Sequence, residues 1–202
     1  MYILYYHPYS QHVRRVVALL EEVKLPYETR SLALEAGEHL TPEYRAINPN
    51  CQVPTLLDGD VKIYESNAIL RYLCLKHELE SWYPSQLNIR ALVEQWLDWN
   101  QCRLAQVVVD IVLNKVFMGD KGDQAAIARG LEKLTTLTEV LSDGLKNRQF
   151  LAGDTPTIAD LSVASNIFQL SLAQAAPQQP NITAWFDRVG KIEGFQKALP
   201  KV

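Results

Sequence analysis

The chain has 202 residues, a formal net charge of -3, 48% hydrophobic and 21% charged residues. That length buries a core as one large domain or two small ones, the balance excludes a disordered chain, and slight acidity without a long basic run argues against nucleic acid as a partner. No apolar run reaches the length of a membrane span, Met1-Tyr2-Ile3-Leu4 lacks the basic start of a signal peptide, and Cys51, Cys74 and Cys102 are odd in number and unevenly spaced, so they read as free thiols of a reducing, cytoplasmic compartment with no disulfide framework and no zinc spacing.

In the first part of the chain the pattern alternates. Tyr2 to Tyr6 reads as a buried strand. Val13, Val16, Val17 and Leu20 fall at helical spacing, so the pattern predicts an amphipathic helix over 11–23. Strand character returns over 27–32. Thr41-Pro42-Glu43 marks a helix start with proline at its first position, running toward Ile47, and Asn48-Pro49-Asn50 breaks the chain. Residues 54–57 and 61–64 read as short strands joined by Asp58-Gly59-Asp60, an antiparallel hairpin signal. Glu65 then opens a helix through Ala68, Ile69, Tyr72 and Leu73.

The second part has a different texture. Residues 78–87 read as a linker around Pro84. Ile89, Leu92, Val93, Trp96, Leu104, Val108 and Ile111 trace one face of a long helix. Gly119 to Asp123 is a turn, Ile127 to Leu145 marks another long helix, and a third runs from Thr157 to about Ala173 after the breaker Gly153-Asp154-Thr155-Pro156. Thr157 and Asp160 have the spacing of a capping box. A segment from Asn181 to Val189 and a short tail complete the chain. The expected division is 1–77, 78–87 as linker and an all-helical 88–202.

Ser10 follows Pro8 and precedes the first helical pattern, so it stands at a helix start just beyond a strand. Two roles are open for it. A serine there caps the helix, worth about 1 kcal/mol. It can also donate to an anion drawn by the unpaired N–H groups and the positive end of the helix dipole. Thioredoxin-like redox enzymes keep a reactive cysteine of a C-x-x-C motif at this place. This chain has none, so the anion is expected to arrive on a substrate.

Five stretches in this order resemble the glutathione S-transferase superfamily, in its serine-bearing theta- and delta-like classes and bacterial relatives. They are the turn from Pro8 to Arg14, the segment from Gly37 to Tyr44, the loop from Ile47 to Leu56, the start Tyr64-Glu65-Ser66-Asn67 and the motif from Gly153 to Asp160. The resemblance spans nearly the whole chain. It implies an α/β thioredoxin-like N-terminal domain that binds glutathione and an all-α C-terminal domain that supplies the electrophile site. It further implies a homodimer and no metal. Ser10 is implied to hold the glutathione thiolate, with Tyr5, Tyr6 and Tyr9 as rival hydroxyls. Glu65 and Ser66 are implied to hold the γ-glutamyl end, with Asn67 adding a contact. The main chain of Val53, ahead of a cis Pro54, is implied to pair with the cysteinyl unit. His39 and Gln52 are candidates for the glycine carboxylate. Tyr9, Arg14, Trp99 and Arg103 are candidates for the electrophile pocket, and Arg14 is also read as a bridge to a partner subunit or a solvated charge. The chain departs from the family at Cys51, where a second histidine is common, and at Gln52, where bacterial relatives have lysine. Cys51 is expected to be a plain loop thiol, with a mixed disulfide to glutathione as the other option. Two alternatives stand beside a transferase: a glutathione-dependent disulfide reductase, peroxidase or dehalogenase, and a non-catalytic binding module of the same fold.

Overall fold

The computed structural model describes residues 1–200 and divides the chain into two compact units, one of 1–79 with the tail from Lys191, the other Glu80–Gly190. The first unit is a four-stranded mixed sheet in the order β2-β1-β3-β4, with β1 at Tyr2–Tyr6, β2 at Tyr27–Ser31, β3 at Thr55–Asp58 and β4 at Val61–Tyr64. β1 pairs parallel with β2 and antiparallel with β3, and β3 pairs antiparallel with β4. Helix α1 spans Gln11–Glu22, α2 Pro42–Arg45 and α3 Ser66–Lys76. The hairpin and element order agree with the sequence pattern.

The pattern of α1 shows one apolar face, yet Gln11 and every residue from Val13 to Leu20 are buried. Besides α3, the tail packs on α1. It forms a short helix, numbered α9, at Glu193–Lys197, which lies against α1 within the first unit. Sequence texture grouped this tail with the helical part, because a five-residue helix carries no mark of the surface it covers. Gly194 makes the close approach: its N–H donates to Glu22 Oε2 at 2.8 Å, and a Cβ there would lie 2.2 Å from the Ala18 carbonyl oxygen.

The second unit is helical. α4 runs over Leu87–Trp99, continues through a π turn at Asn100–Leu104 into α5 at Ala105–Val112, and ends in a second π turn at Leu113–Phe117. α6 spans Gln124–Gly144, α7 Ile158–Leu172 and α8 Pro180–Val189. The sequence pattern read one uninterrupted helix through this region. The first π turn carries a buried polar network instead: Asn100 Nδ2 donates to Ser162 O at 3.1 Å and Oγ at 2.9 Å, and Asn166 Nδ2 donates to Asn100 Oδ1 at 2.8 Å. The wider turn re-phases the helix, which keeps Val93 and Trp96 before it and Val108 and Ile111 after it in the core.

α7 is the central helix, with Ile158 to Ile167 buried on all sides. Its capping box is formed, and Asp160 does more than cap. Its carboxylate accepts from Leu151 N–H at 2.9 Å, Thr157 N–H at 2.8 Å, Thr157 Oγ1 at 3.1 Å and Trp185 Nε1 at 2.9 Å. Burial pushes this carboxyl up and the four donors pull it back. Asp160 thus ties the preceding loop and α8 to the start of α7. Replacing it with alanine strands three buried N–H donors, so Asp160→Ala is expected to lose about 3–5 kcal/mol in urea unfolding. Gly194→Ala, which forces a methyl group into backbone, is expected to lose about 1–3 kcal/mol in the same measurement.

Candidate functional site

The strand register brings three distant segments to one end of the sheet. Tyr5 pairs with Thr55, and Thr55 pairs with Tyr64. The exit of β1, the entry of β3 and the exit of β4 are therefore neighbours, about 4.8 Å apart per strand. Ser10 follows the first, Gln52-Val53-Pro54 precedes the second, and Glu65-Ser66-Asn67 follows the third. β2, parallel to β1, ends at this side too, and its ladder continues through Leu32 N–H to Tyr6 O at 3.0 Å.

Ser10 is the N-cap of α1. Its Oγ accepts from Val13 N–H at 3.3 Å, and its own N–H donates to His7 O at 3.1 Å. The cap uses a lone pair of the hydroxyl and leaves its proton, so the two roles open to Ser10 are compatible. Of the rival hydroxyls, Tyr5 is buried and accepts from Arg30 Nη1 at 3.2 Å. Tyr6 is half-buried, and burial raises its phenol while Arg14 opposes the rise. Tyr9 is exposed, with its ring near that of His7.

The Val53–Pro54 bond is cis. The loop before it is held by polar side chains: Tyr44 OH donates to Gln52 O at 2.6 Å, Asn48 Nδ2 donates to Gln52 O at 2.8 Å and to Thr55 Oγ1 at 3.1 Å. Among the described residues the N–H and C=O of Val53 take part in no hydrogen bond, although the residue is buried. A main-chain pair of this kind fits an extended peptide laid beside it. The Gln52 side chain is exposed.

Glu65 stands before α3, with φ 67° and ψ 108°. A side chain resists that left-handed conformation, at a cost of about 1–3 kcal/mol, and such strain persists only where the surroundings enforce it. The sequence pattern has Glu65 opening the helix, and the structure makes it the N-cap, in a strained turn that presents its exposed side chain. Ser66 and Asn67 are buried, and the Ser66 hydroxyl makes no hydrogen bond among the described residues. Arg15 Nη1 donates to Asn67 Oδ1 at 3.3 Å.

These pieces share one sheet end: two helix N-termini, a hydroxyl proton, an open main-chain pair and an exposed carboxylate. Residues 1–74 match the family model for the glutathione S-transferase N-terminal domain and residues 104–193 the model for its C-terminal domain. Glutathione S-transferase F10 of Arabidopsis thaliana is 30% identical over 210 aligned positions, covering all of this chain and 98% of that protein. The chain belongs to the glutathione S-transferase family. Human glutathione S-transferase theta-1 is 32% identical over 96% of this chain and 86% of its own length. The solved structure of human glutathione S-transferase T1-1 in its apo form superposes with a TM-score of 0.88 at 30% identity, covering 98% of this chain and 87% of that one.

The remaining candidate residues of this glutathione S-transferase family member lie outside the strands. His39 is half-buried in a 3₁₀ turn at Glu38–Leu40, and its Nδ1 is buried without a hydrogen bond among the described residues. Arg14 is 1% exposed, which rules out the solvated charge. Trp99 and Arg103 lie in the helical unit, Trp99 half-buried and edge-on to Trp96 at 5.1 Å, Arg103 exposed on the π turn. Cys51 is buried with its thiol 3.9 Å from Pro49 O, Cys74 is buried and its thiol pushed up to about 12, and Cys102 is exposed. Among the described residues no group of three His, Cys, Asp or Glu side chains is placed to hold a metal, and no helix is long and apolar enough to cross a membrane.

Sequence reasoning missed Arg15, Tyr44, Asn48 and the strain at Glu65. The adjacent arginines of an otherwise apolar helix were the available signal for Arg15; the strain at Glu65 left none. Because a glycine relieves that strain, Glu65→Gly is expected to raise the unfolding free energy by about 1 kcal/mol, read from the urea midpoint.

Proposed function

We propose that this chain is a glutathione transferase in which Ser10 holds the glutathione thiolate for attack on a small apolar electrophile. The observation that carries this is the Ser10 hydroxyl, which caps α1 through its oxygen and keeps its proton beside the same helix terminus. A free thiol titrates near 8.5, and lowering that by two units requires about 2.7 kcal/mol of preference for the thiolate. A hydrogen bond to a charged acceptor supplies about 1.5–3 kcal/mol, and a helix N-terminus about 0.3–2 kcal/mol. The two suffice together. Ser10 acts as a donor and stays protonated; the thiol proton leaves to solvent, and the sulfur then forms its bond to the electrophilic carbon as the leaving group or π electrons depart.

The rest of the tripeptide follows the order of the sheet end. Val53 N–H and C=O pair with the cysteinyl main chain. Glu65 takes the γ-glutamyl ammonium, while the Ser66 hydroxyl and the first amides of α3 take its carboxylate. Asn67 sits behind them. His39 and Gln52 serve the glycine carboxylate. The N-terminal part, 1–77, is the glutathione-binding domain, and the helical part from residue 88 supplies the electrophile site, with Tyr9, Arg14, Trp99 and Arg103 as its candidates. The protein works in the cytoplasm as a homodimer.

Calorimetric titration should detect glutathione binding below millimolar concentration; none up to that level favours the non-catalytic module. Ser10→Ala is expected to lose about 1 kcal/mol of stability through the cap and to slow a chromogenic electrophile by about 10–100-fold. Its thiolate absorbance at neutral pH should fall in step. Unchanged turnover and absorbance would move the assignment to Tyr6 or Tyr9.

A further inference from the structure

Arg15 lies one turn beyond the cap of α1 and is fully buried. Its Nη1 reaches 3.3 Å to Asn67 Oδ1, a contact spanning 52 residues, and Asn67 is the second residue of α3 and 7% exposed. The contact thus ties the helix that Ser10 starts to the turn that Glu65 and Ser66 start. Joining two helices does not by itself call for a buried cation, since apolar side chains of similar volume at such a place are often neutral or stabilising. The start of α3 does call for a clamp, because the left-handed Glu65 backbone persists only if its surroundings hold it. Arg14 neighbours Arg15 on α1, and His12 is held neutral, its imidazole lowered to about 3 by burial and by Arg15. Burial lowers Arg15 only to about 9, so its guanidinium is charged at neutral pH.

We propose that Arg15 is a positioning residue that, through Asn67, locks the first turn of α3 and so sets the preference of the site for a γ-glutamyl thiol over one that lacks the γ-glutamyl group. The inference rests on the glutathione reading above. It differs from it in naming a side chain that touches no substrate and a selectivity that this side chain controls. The buried cation also lies under both helix N-termini, where it favours an anion at either. The preference arises because the glutamyl carboxylate meets the amides and hydroxyl at the start of α3, while the cysteinyl unit meets Val53, which Arg15 does not hold.

The test compares glutathione with cysteinylglycine by calorimetric titration of the whole chain, alongside thermal unfolding. For the wild type, glutathione should bind more tightly. In Arg15→Met the glutathione Kd should rise about 10-fold while the cysteinylglycine Kd moves less than 2-fold, and Arg15→Lys should recover part of the preference. Asn67→Ala, which leaves Arg15 in place, should lose the same preference, with the double variant no worse than Asn67→Ala alone. If Arg15→Met does not fold, Asn67→Ala and Arg15→Lys decide. A stability loss with the preference intact, or equal losses for both thiols, overturns the inference and leaves glutathione binding standing. A wild type that binds neither thiol overturns the glutathione reading and this inference together.

Discussion

The enclosure of helix α1 is the constraint on which the first unit depends. A sheet-covering helix ordinarily buries one stripe and wets the other. Here α9 folds back on α1, with Gly194 meeting its backbone at Ala18 and Glu22, α3 packs on it as well, with Asn67 on Arg15, and even Arg14 and Arg15 are withdrawn from water. A helix held on every side has a fixed N-terminus. That terminus begins at Ser10, whose oxygen satisfies Val13 N–H and whose proton is not used by the cap.

The chemistry of the site follows from strand direction. One parallel and two antiparallel pairings bring the exits of β1, β2 and β4 and the entry of β3 to one edge. Segments separated by more than fifty residues become neighbours there, and each contributes a different kind of group: a hydroxyl donor, an open main-chain pair, a carboxylate and free helical amides. Such a set suits a zwitterionic peptide carrying a thiol. The groups around it are less adaptable than they look in sequence. Tyr44 and Asn48 both close on Gln52 O, which fixes the loop, and the left-handed Glu65 is maintained beside a helix start clamped by Arg15.

The helical unit is organised by buried polar groups. Asp160 gathers donors from the loop before α7, from the cap and from Trp185, so the capping box seen in sequence becomes a junction of three segments. Asn100 does the same for α4 and α7. Each group is well partnered, and a partnered polar network in a dry interior specifies one arrangement among otherwise interchangeable apolar packings.

Local signals determined much of this protein. Prolines, glycines and apolar spacing located β1, α1, the hairpin and α7 within a residue or two, and the ordered motifs around Ser10, Pro54, Glu65 and Asp160 identified the family. These are properties of neighbours along the chain, written in turn chemistry and in the periods of helix and strand. Tertiary structure alone decided the burial of Arg15 against Asn67, the π turn at Asn100, the strained backbone of Glu65 and the return of the tail to α1. Each depends on a partner tens of residues away, and a helix pattern records which face is apolar but not what will cover the other one.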